Sequence, residues 1–177
     1  MKQIRYGVAM SLDAYIAGPN GECDWIIMDP EIDFAEIFSR FDTLLMGRHT
    51  FEYAMSRGGM GMMPGMETVV VSRTLRPQDY PDITLISDNL EEAVQRLRAR
   101  PGKDIWLFGG GVLFRSLLEA RLVDGIEVAI IPVLLGGGIP MLPPPASQAK
   151  LRLVGNKVYK TGIASLEYTV DYSPAQV

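Results

Sequence analysis

The 177-residue sequence contains one cysteine, Cys23, and one histidine, His49. A single cysteine cannot form a disulfide within the chain, which suits a reducing cytoplasm. A zinc site built from cysteine and histidine needs more of these ligands than the chain has. A Ser-His-Asp or Cys-His mechanism would have to use His49. The scarcity of the two residues therefore argues against whole classes of zinc and nucleophilic chemistry. A metal bound by carboxylates alone stays open, but no pattern indicates one, and no metal is expected.

The sequence also lacks a long apolar run and an excess of positive charge. Its longest apolar run, residues 126–135, contains Glu127 and Pro132 and is too short to cross a membrane. The formal net charge is -4, and no basic stripe would attract nucleic acid. The chain does not open as a signal peptide, and Lys103 has no glycine upstream at Walker A spacing. Together with a length of 177 residues, these absences predict one cytoplasmic domain over residues 1–177, with no nucleic-acid or membrane partner.

The most informative stretch is the glycine-turn segment, Asp104–Phe114. An apolar run stops there at Gly109-Gly110-Gly111, and an amphipathic segment follows at once. The pattern predicts a buried strand, a tight turn and a helix. A helix start presents unpaired N–H groups and a positive dipole end, and glycine lets the backbone approach a ligand. Such a turn suits a phosphate or pyrophosphate, although an ordinary strand–helix turn also needs glycine for its backbone angles.

Strands and helices alternate along the rest of the chain, which favours an α/β sheet with an antiparallel edge. A helix is predicted to begin at Asp29-Pro30, where a capping acid precedes a proline. The last two predicted strands pair around Lys160-Thr161-Gly162. Besides the strand in the glycine-turn segment, the predicted strands cover residues 4–10, 43–46, 68–71, 83–86, 125–135, 151–159 and 164–172.

Residues 57–66 combine four methionines with four glycines. This composition predicts an adaptable apolar segment. It would serve either as a lid over a ligand or as a flexible connection with some buried methionines.

Three motifs occur in order: residues 46–52 (Met-Gly-Arg-His-Thr-Phe-Glu), Pro64-Gly65 before residues 69–73 (Val-Val-Val-Ser-Arg), and residues 108–113 (Phe-Gly-Gly-Gly-Val-Leu). Together they resemble dihydrofolate reductase over most of the chain. The later segment 131–140 is more similar to a sister family, the reductase domain of the bifunctional riboflavin-biosynthesis deaminase/reductase and its stand-alone relatives. The resemblance implies a three-layer α/β/α fold whose mixed, mostly parallel sheet has about eight strands and ends in an antiparallel hairpin.

The resemblance also implies NADPH as the cofactor. Arg48, Ser72 and Arg73 would contact the adenosine 2′-phosphate, and paired guanidinium groups favour NADPH over NADH. The helix starts at 47–50 and 109–113 would hold the pyrophosphate through backbone N–H groups, and the Gly109–Gly110 peptide would be cis as in the family. Main-chain groups near Ala9 would flank the nicotinamide. The implied cofactor-binding residues are Ala9, Ile16, Ala17, Gly47, Arg48, His49, Thr50, Ser72, Arg73, Gly109, Gly110, Gly111, Val112 and Leu113.

Asp33 is the candidate catalytic residue, because it precedes an aromatic helix as the carboxylate of the folate enzymes does. A carboxyl group at an apolar cleft could supply or orient a proton, whereas a first-turn acid favoured by the helix dipole is the alternative. Trp25 and Phe51 are candidates for the substrate cleft, and Trp25 would otherwise fill the core. Ala129 stands where folate reducers usually have threonine, which weakens folate as the substrate.

The resemblance therefore implies an NADPH-dependent reductase similar to 5-amino-6-(5-phosphoribosylamino)uracil reductase. It would transfer hydride to a C=N or C=O group of a small heterocycle or ribose-derived compound. Dihydrofolate reduction and a non-catalytic NADPH-binding module are alternatives, and a purely structural dimer built on strand 125–135 is a third. A homodimer is compatible with each of them, and the sister family suggests one.

Overall fold

The computed structural model describes residues 1–59, 63 and 65–173. Its helices are α1 (Phe34–Ser39), α2 (Arg48–Ser56), α3 (Leu90–Ala99) and α4 (Gly111–Glu119). Its strands are β1 (Ile4–Ser11), β2 (Tyr15–Ala17), β3 (Phe41–Gly47), β4 (Glu67–Val71), β5 (Thr84–Ile86), β6 (Asp104–Gly109), β7 (Gly125–Ile131), β8 (Ile139–Pro140), β9 (Lys150–Val158) and β10 (Ala164–Asp171). Within these described ranges, every helix is too short or too polar to traverse a membrane.

Eight of the strands form one sheet in the order β5-β4-β3-β6-β1-β7-β10-β9. All neighbours from β5 to β7 pair in parallel, whereas β10 runs antiparallel to both β7 and β9. The short strands β2 and β8 pair separately. The predicted mixed, mostly parallel sheet with a C-terminal antiparallel hairpin is confirmed.

Helices cover both faces of the sheet, as a three-layer α/β/α fold requires. On one face, Val94 of α3 and Phe114 of α4 belong to the larger hydrophobic core. On the other face, Phe51 of α2 packs in a second core and Phe38 of α1 contacts the ring of Trp106. Strands buried on both faces read as continuous apolar runs, which explains why β3, β4 and β6 show little polar alternation.

The long apolar strand predicted at 125–135 ends earlier, at Ile131, and lies inside the sheet. Strand β7 pairs with β1 on one side and with β10 on the other. Because β7 has no free edge, the hypothesis of a purely structural dimer built on this strand loses its basis.

The predicted helix start at Asp29-Pro30 is wrong. Helix α1 begins at Phe34, and Asp33 is its N-cap, with the carboxylate Oδ1 accepting the N–H of Glu36 at 2.9 Å. A side-chain oxygen that accepts the N–H of N3 is the usual capping arrangement. The helix therefore starts at the second aspartate, Asp33, rather than at Asp29.

Asp29 links the loop before α1 to the terminal hairpin, and its ionisation should make the free energy of unfolding fall at acid pH. Its buried carboxylate accepts the N–H of Glu31 at 2.8 Å and the hydroxyl of Thr161 at 2.8 Å. These hydrogen bonds favour the charged form and hold the pKa of Asp29 below its ordinary value. When the folded-state pKa is depressed, the stabilisation is present above the unfolded pKa and is lost as pH falls through the folded value.

We therefore expect Asp29→Asn to lower the free energy of unfolding at neutral pH. The difference from the natural protein should shrink as pH falls below about 4, where an unperturbed aspartate becomes protonated. Urea unfolding of both proteins across this pH range measures the difference. A difference that stays constant down to the most acid pH would contradict the assignment.

The Met-rich segment 57–66 is described only in part. Met63 and Met66 are half-buried against the core on the α2 side of the sheet. This agrees with a connection that contains some buried methionines. The prediction of a lid falls largely on residues outside the described ones, namely Met60, Gly61, Met62 and Pro64.

Candidate functional site

The candidate site is a cleft at the carboxyl ends of the parallel strands, around β3 and β6. These two strands are neighbours in the sheet, but the helices that follow them, α2 and α4, pack on opposite faces. In an open α/β sheet, such a switch point leaves a crevice in which ligands bind. The cleft has a volume of about 1540 Å³. This is more than the roughly 300–1,000 Å³ of an ordinary small-molecule site, so the cleft has room for more than one small ligand.

Helices α2 and α4 begin side by side at this cleft. A Cβ placed on Gly110 would lie 3.3 Å from Oγ1 of Thr50, and one placed on Gly47 would lie 3.9 Å from Cβ of Leu113. Among the described residues, no side chain caps either helix start, whereas Asp33 caps α1. The first-turn N–H groups of both helices can therefore donate to an anion in the cleft.

The last glycine of the glycine-turn segment is required by close packing. A Cβ on Gly111 would lie 2.7 Å from the carbonyl oxygen of Pro140 and 2.8 Å from that of Met141. The start of α4 is thus pressed against the chain that follows β8, so the close approach served by Gly111 is to the protein's own backbone. The peptide between Gly109 and Gly110 is cis, as the resemblance implies.

Two arginines stand at one end of the cleft, close to the ends of β3 and β4. Nη1 of Arg48 donates to both carboxylate oxygens of Glu52, each at 3.0 Å, and Arg73 is exposed. Ser72 is buried, and its hydroxyl accepts the N–H of Leu75 at 3.0 Å. Ser72 therefore fixes the turn after β4, while the two guanidinium groups provide positive charge at the surface of the cleft.

The cleft gathers all fourteen residues for which the resemblance implies a cofactor contact. They come from the β1–β2 region, the start of α2, the turn after β4 and the start of α4. Among them, Ala9, Ile16 and Ala17 line the cleft near β1 and β2. The geometry thus brings together four segments that are far apart in the sequence. The contact of each residue with a cofactor stays a prediction.

The three residues expected near the substrate do not belong to the described lining of this cleft. Asp33 is exposed, and its carboxylate serves as the cap of α1. The side chain of Phe51 is 1% exposed and lies in the core between α2 and the sheet, which contradicts its placement at the substrate. Trp25 is half-buried, and its indole N–H donates to a main-chain carbonyl at 3.0 Å. These positions favour the capping alternative for Asp33.

Sequence reasoning missed an aromatic wall, which consists of Phe34, Phe38, Phe41, Trp106 and Phe108. All five side chains line the cleft. The ring centroid of Trp106 lies 5.4 Å from that of Phe38, 5.5 Å from that of Phe41 and 5.4 Å from that of Phe108. The two-residue period of a strand puts Trp106 and Phe108 on one face of β6, and this was the available signal.

Sequence reasoning also missed Glu127, the only carboxylate among the described residues that line the cleft. Arg40 donates to its two oxygens at 3.1 and 2.5 Å, and Arg5 donates to one of them at 3.4 Å. Ala129 lines the cleft on the same face of β7, two residues further along. A lone charge in an otherwise apolar strand was the signal for Glu127. Within the part of the chain that the structure describes, no cluster of His, Cys, Asp or Glu could hold a metal ion.

Comparisons with known proteins agree with this architecture. Residues 2–165 match the family model described as RibD C-terminal domain. The uncharacterized protein YyaP of Bacillus subtilis (strain 168) is 33% identical over 178 residues, covering 94% of each chain.

Solved structures of two other proteins have the same fold. A putative riboflavin biosynthesis protein from Shewanella sp. PV-4 superimposes with a TM-score of 0.82 at 27% identity, covering 96% of this chain and 99% of that one. Dihydrofolate reductase from Enterococcus faecalis, solved with NADP(H), has a similar fold, with a TM-score of 0.67 at 20% identity and 96% of each chain covered. The resemblance inferred from the motifs is confirmed.

Proposed function

The chain belongs to the RibD C-terminal domain family, and on this basis we propose that it is an NADPH-dependent reductase of a small heterocyclic or ribose-derived compound. The observation that carries the proposal is the pair of helix starts without side-chain caps that face one large cleft. NADPH, when bound, supplies a hydride for a C=N or C=O carbon. The protein holds the two reactants in position for this transfer.

Different residues of the cleft bind different parts of NADPH. The backbone N–H groups at 47–50 and 109–113 hold the pyrophosphate, because helix starts carry partial positive charge and unpaired donors. Arg48 and Arg73 contact the adenosine 2′-phosphate, and main-chain groups near Ala9 orient the nicotinamide. Charge-assisted hydrogen bonds to a phosphate are the stronger kind, which favours NADPH over NADH.

A bound water, rather than Asp33, delivers the proton that accompanies hydride transfer. The carboxylate of Asp33 is already engaged with the N–H of Glu36, on the exposed side of α1. The absence of threonine at Ala129 also disfavours dihydrofolate as the substrate, since an Asp-anchored pterin would lose its second partner.

The test is deuterium transfer from NADPH labelled at C4 of the nicotinamide to a panel of carbonyl and imine compounds. We expect a labelled product, and we expect Asp33→Asn to keep most of the activity because asparagine also caps helices. A non-catalytic module would bind NADPH and transfer no deuterium to any compound. If Asp33→Asn lowers the activity by a factor of about 100 or more, Asp33 rather than water supplies the proton.

We also propose a homodimer that forms through the apolar face of β9, which consists of Leu151, Leu153 and Val158. These side chains are 44%, 50% and 74% exposed at the edge of the sheet. Apolar side chains grouped at an exposed sheet edge mark an interaction surface. The opposite face of β9 carries Arg152 and Lys157, so it stays in water.

Sedimentation tests the dimer. We expect the natural protein to sediment as a dimer and Leu153→Lys to sediment as a monomer, because a buried ammonium group is costly. Arg152→Lys, on the opposite face of the same strand, should leave the dimer unchanged. A natural protein that is monomeric at every concentration would exclude this interface.

A further inference from the structure

We propose that the substrate of this chain is an uncharged, planar, conjugated carbonyl or imine compound that carries no phosphate group. This inference rests on the proposed reductase function and narrows its substrate class. It comes from the half of the cleft that is lined by the aromatic wall (Phe34, Phe38, Phe41, Trp106 and Phe108) and by Glu127.

The aromatic wall is held in a fixed orientation by β1. The indole N–H of Trp106 donates to the carbonyl oxygen of Gly7 at 3.1 Å. A Cβ on Gly7 would lie 2.4 Å from that indole nitrogen, so glycine is what allows the ring to rest against the strand. Phe38 and Phe41 pack against the same indole. Fixed aromatic rings at a cleft offer offset or edge contacts to another flat ring.

The charges of this half of the cleft disfavour a phosphate. The basic side chains among the described lining residues are Arg48, His49 and Arg73, and all three belong to the proposed cofactor end. The residues outside the described ranges, 60–62, 64 and 174–177, contain no lysine, arginine or histidine in the sequence. A sugar phosphate is usually bound by guanidinium or ammonium groups or by an uncapped helix start. Helix α1, which carries Phe34 and Phe38, is capped by Asp33, so its start does not offer such a site.

The charges around Glu127 bear on the same point. Lys157 of β9 pairs with Ser165 but is not among the described lining residues, and its ammonium group lies over the ring of Tyr159, 4.4 Å from the centroid. Glu127 of β7 lies beside Gly7 of β1 in the register of the sheet, and Gly7 accepts the hydrogen bond of Trp106 in the aromatic wall. Arg40 donates to both oxygens of Glu127, and the guanidinium of Arg5 is shared among Asp104, Glu127 and Glu167. Neither arginine is among the residues that line the cleft. A phosphate would therefore meet a carboxylate in this half of the cleft.

Three ligands with a related flat ring system test the proposal: lumichrome and riboflavin, which are uncharged, and flavin mononucleotide, which is riboflavin with a phosphate. Each is titrated into protein saturated with NADP⁺, and binding is followed by ligand fluorescence. We expect lumichrome and riboflavin to bind and flavin mononucleotide to bind at least about tenfold more weakly than riboflavin, because like charges repel in a desolvated site.

Flavin mononucleotide that binds as tightly as riboflavin would overturn the proposal. So would a protein that binds NADP⁺ but neither uncharged ligand, and in that case the proposed reductase function would survive. If the protein does not bind NADP⁺, the proposed reductase function is wrong, and the inference about the substrate is wrong as well.

Two substitutions locate the binding surface. Phe38→Leu keeps an apolar side chain but removes a ring of the aromatic wall, and we expect riboflavin to bind about three- to tenfold more weakly with NADP⁺ affinity unchanged. Tyr80→Leu is the matched control, because Tyr80 packs against Phe51 and is not among the residues that line the cleft. Equal effects of the two substitutions on riboflavin, or no effect of either, would contradict binding at the aromatic wall.

A third substitution should change the preference for riboflavin over flavin mononucleotide. Ser165 lines the cleft on β10, beside Ala129 in the register of the sheet. Ser165→Arg adds a guanidinium group to this half of the cleft. The affinity for flavin mononucleotide should then rise relative to that for riboflavin, and an unchanged ratio would count against the electrostatic part of the argument.

Discussion

Val112→Glu is expected to weaken NADPH binding by about 30- to 100-fold, or about 2–3 kcal/mol, without unfolding the protein. Val112 is the second residue of α4, lines the cleft and is 63% exposed. A carboxylate in the first turn interacts favourably with the helix dipole, by about 0.3–1 kcal/mol at an exposed site. The same carboxylate repels a pyrophosphate bound at this helix start. Stability and binding should therefore change in opposite directions, and thermal denaturation and calorimetric titration measure them separately.

Val112→Gln is the matched control for this substitution. Glutamine has nearly the same size and shape as glutamate but carries no charge, so we expect its effect on NADPH binding to stay below about threefold. If the glutamate and glutamine variants bind NADPH equally well, the pyrophosphate does not lie at the start of α4.

Gly111→Ala is expected to lower the free energy of unfolding by about 1–3 kcal/mol and to weaken NADPH binding as well. The added Cβ would lie within 2.8 Å of two backbone carbonyl oxygens, at Pro140 and Met141. Backbone atoms cannot rotate away as a flexible side chain can, so the start of α4 has to move from the chain that follows β8. Both Gly111 and Pro140 line the cleft, and a shift at this contact changes the shape of the proposed binding site.

Gly137→Ala provides the comparison, because a Cβ on Gly137 would have no neighbour within 4 Å. We expect Gly137→Ala to change the free energy of unfolding by less than about 1 kcal/mol in either direction. Urea unfolding of the two variants measures the contrast. Equal stability of Gly111→Ala and Gly137→Ala would mean that the close contact at the start of α4 is absent in solution.

The features predicted well from the sequence depend on local backbone chemistry. Strands β3 and β6 each end at glycine before a helix, and both strand–helix turns are recognisable within about a dozen residues. The order of strands and helices then limits the fold to an α/β sheet, because parallel strands need helical crossovers. The terminal hairpin was equally readable, since its turn residues separate two alternating strands.

The features that were predicted wrongly depend on distant parts of the chain. Asp29 looks like a helix cap, but its carboxylate accepts a hydrogen bond from Thr161 of the terminal hairpin, and the helix starts at Asp33 instead. Phe51 sits in a motif that resembles a binding site, yet the rotation of α2 on the sheet turns its ring into the core. No local pattern contains either contact.

The aromatic wall was invisible for a similar reason. Phe34 and Phe38 come from α1, Phe41 opens β3, and Trp106 lies on β6, far along the sequence. Only the sheet order, with β3 beside β6, brings these rings into contact. A sequence pattern identifies each ring as buried or half-buried but does not identify its neighbours.

We propose above all that the starts of α2 and α4 jointly hold the pyrophosphate of NADPH. The most direct test is a titration with NADP⁺ followed through the backbone amide resonances of the protein. We expect the amides of residues 48–50 and 111–113 to shift together, with one dissociation constant between about 1 µM and 1 mM, while those of β9 do not shift. Amide shifts confined to other regions, or no shift at millimolar NADP⁺, would contradict this proposal.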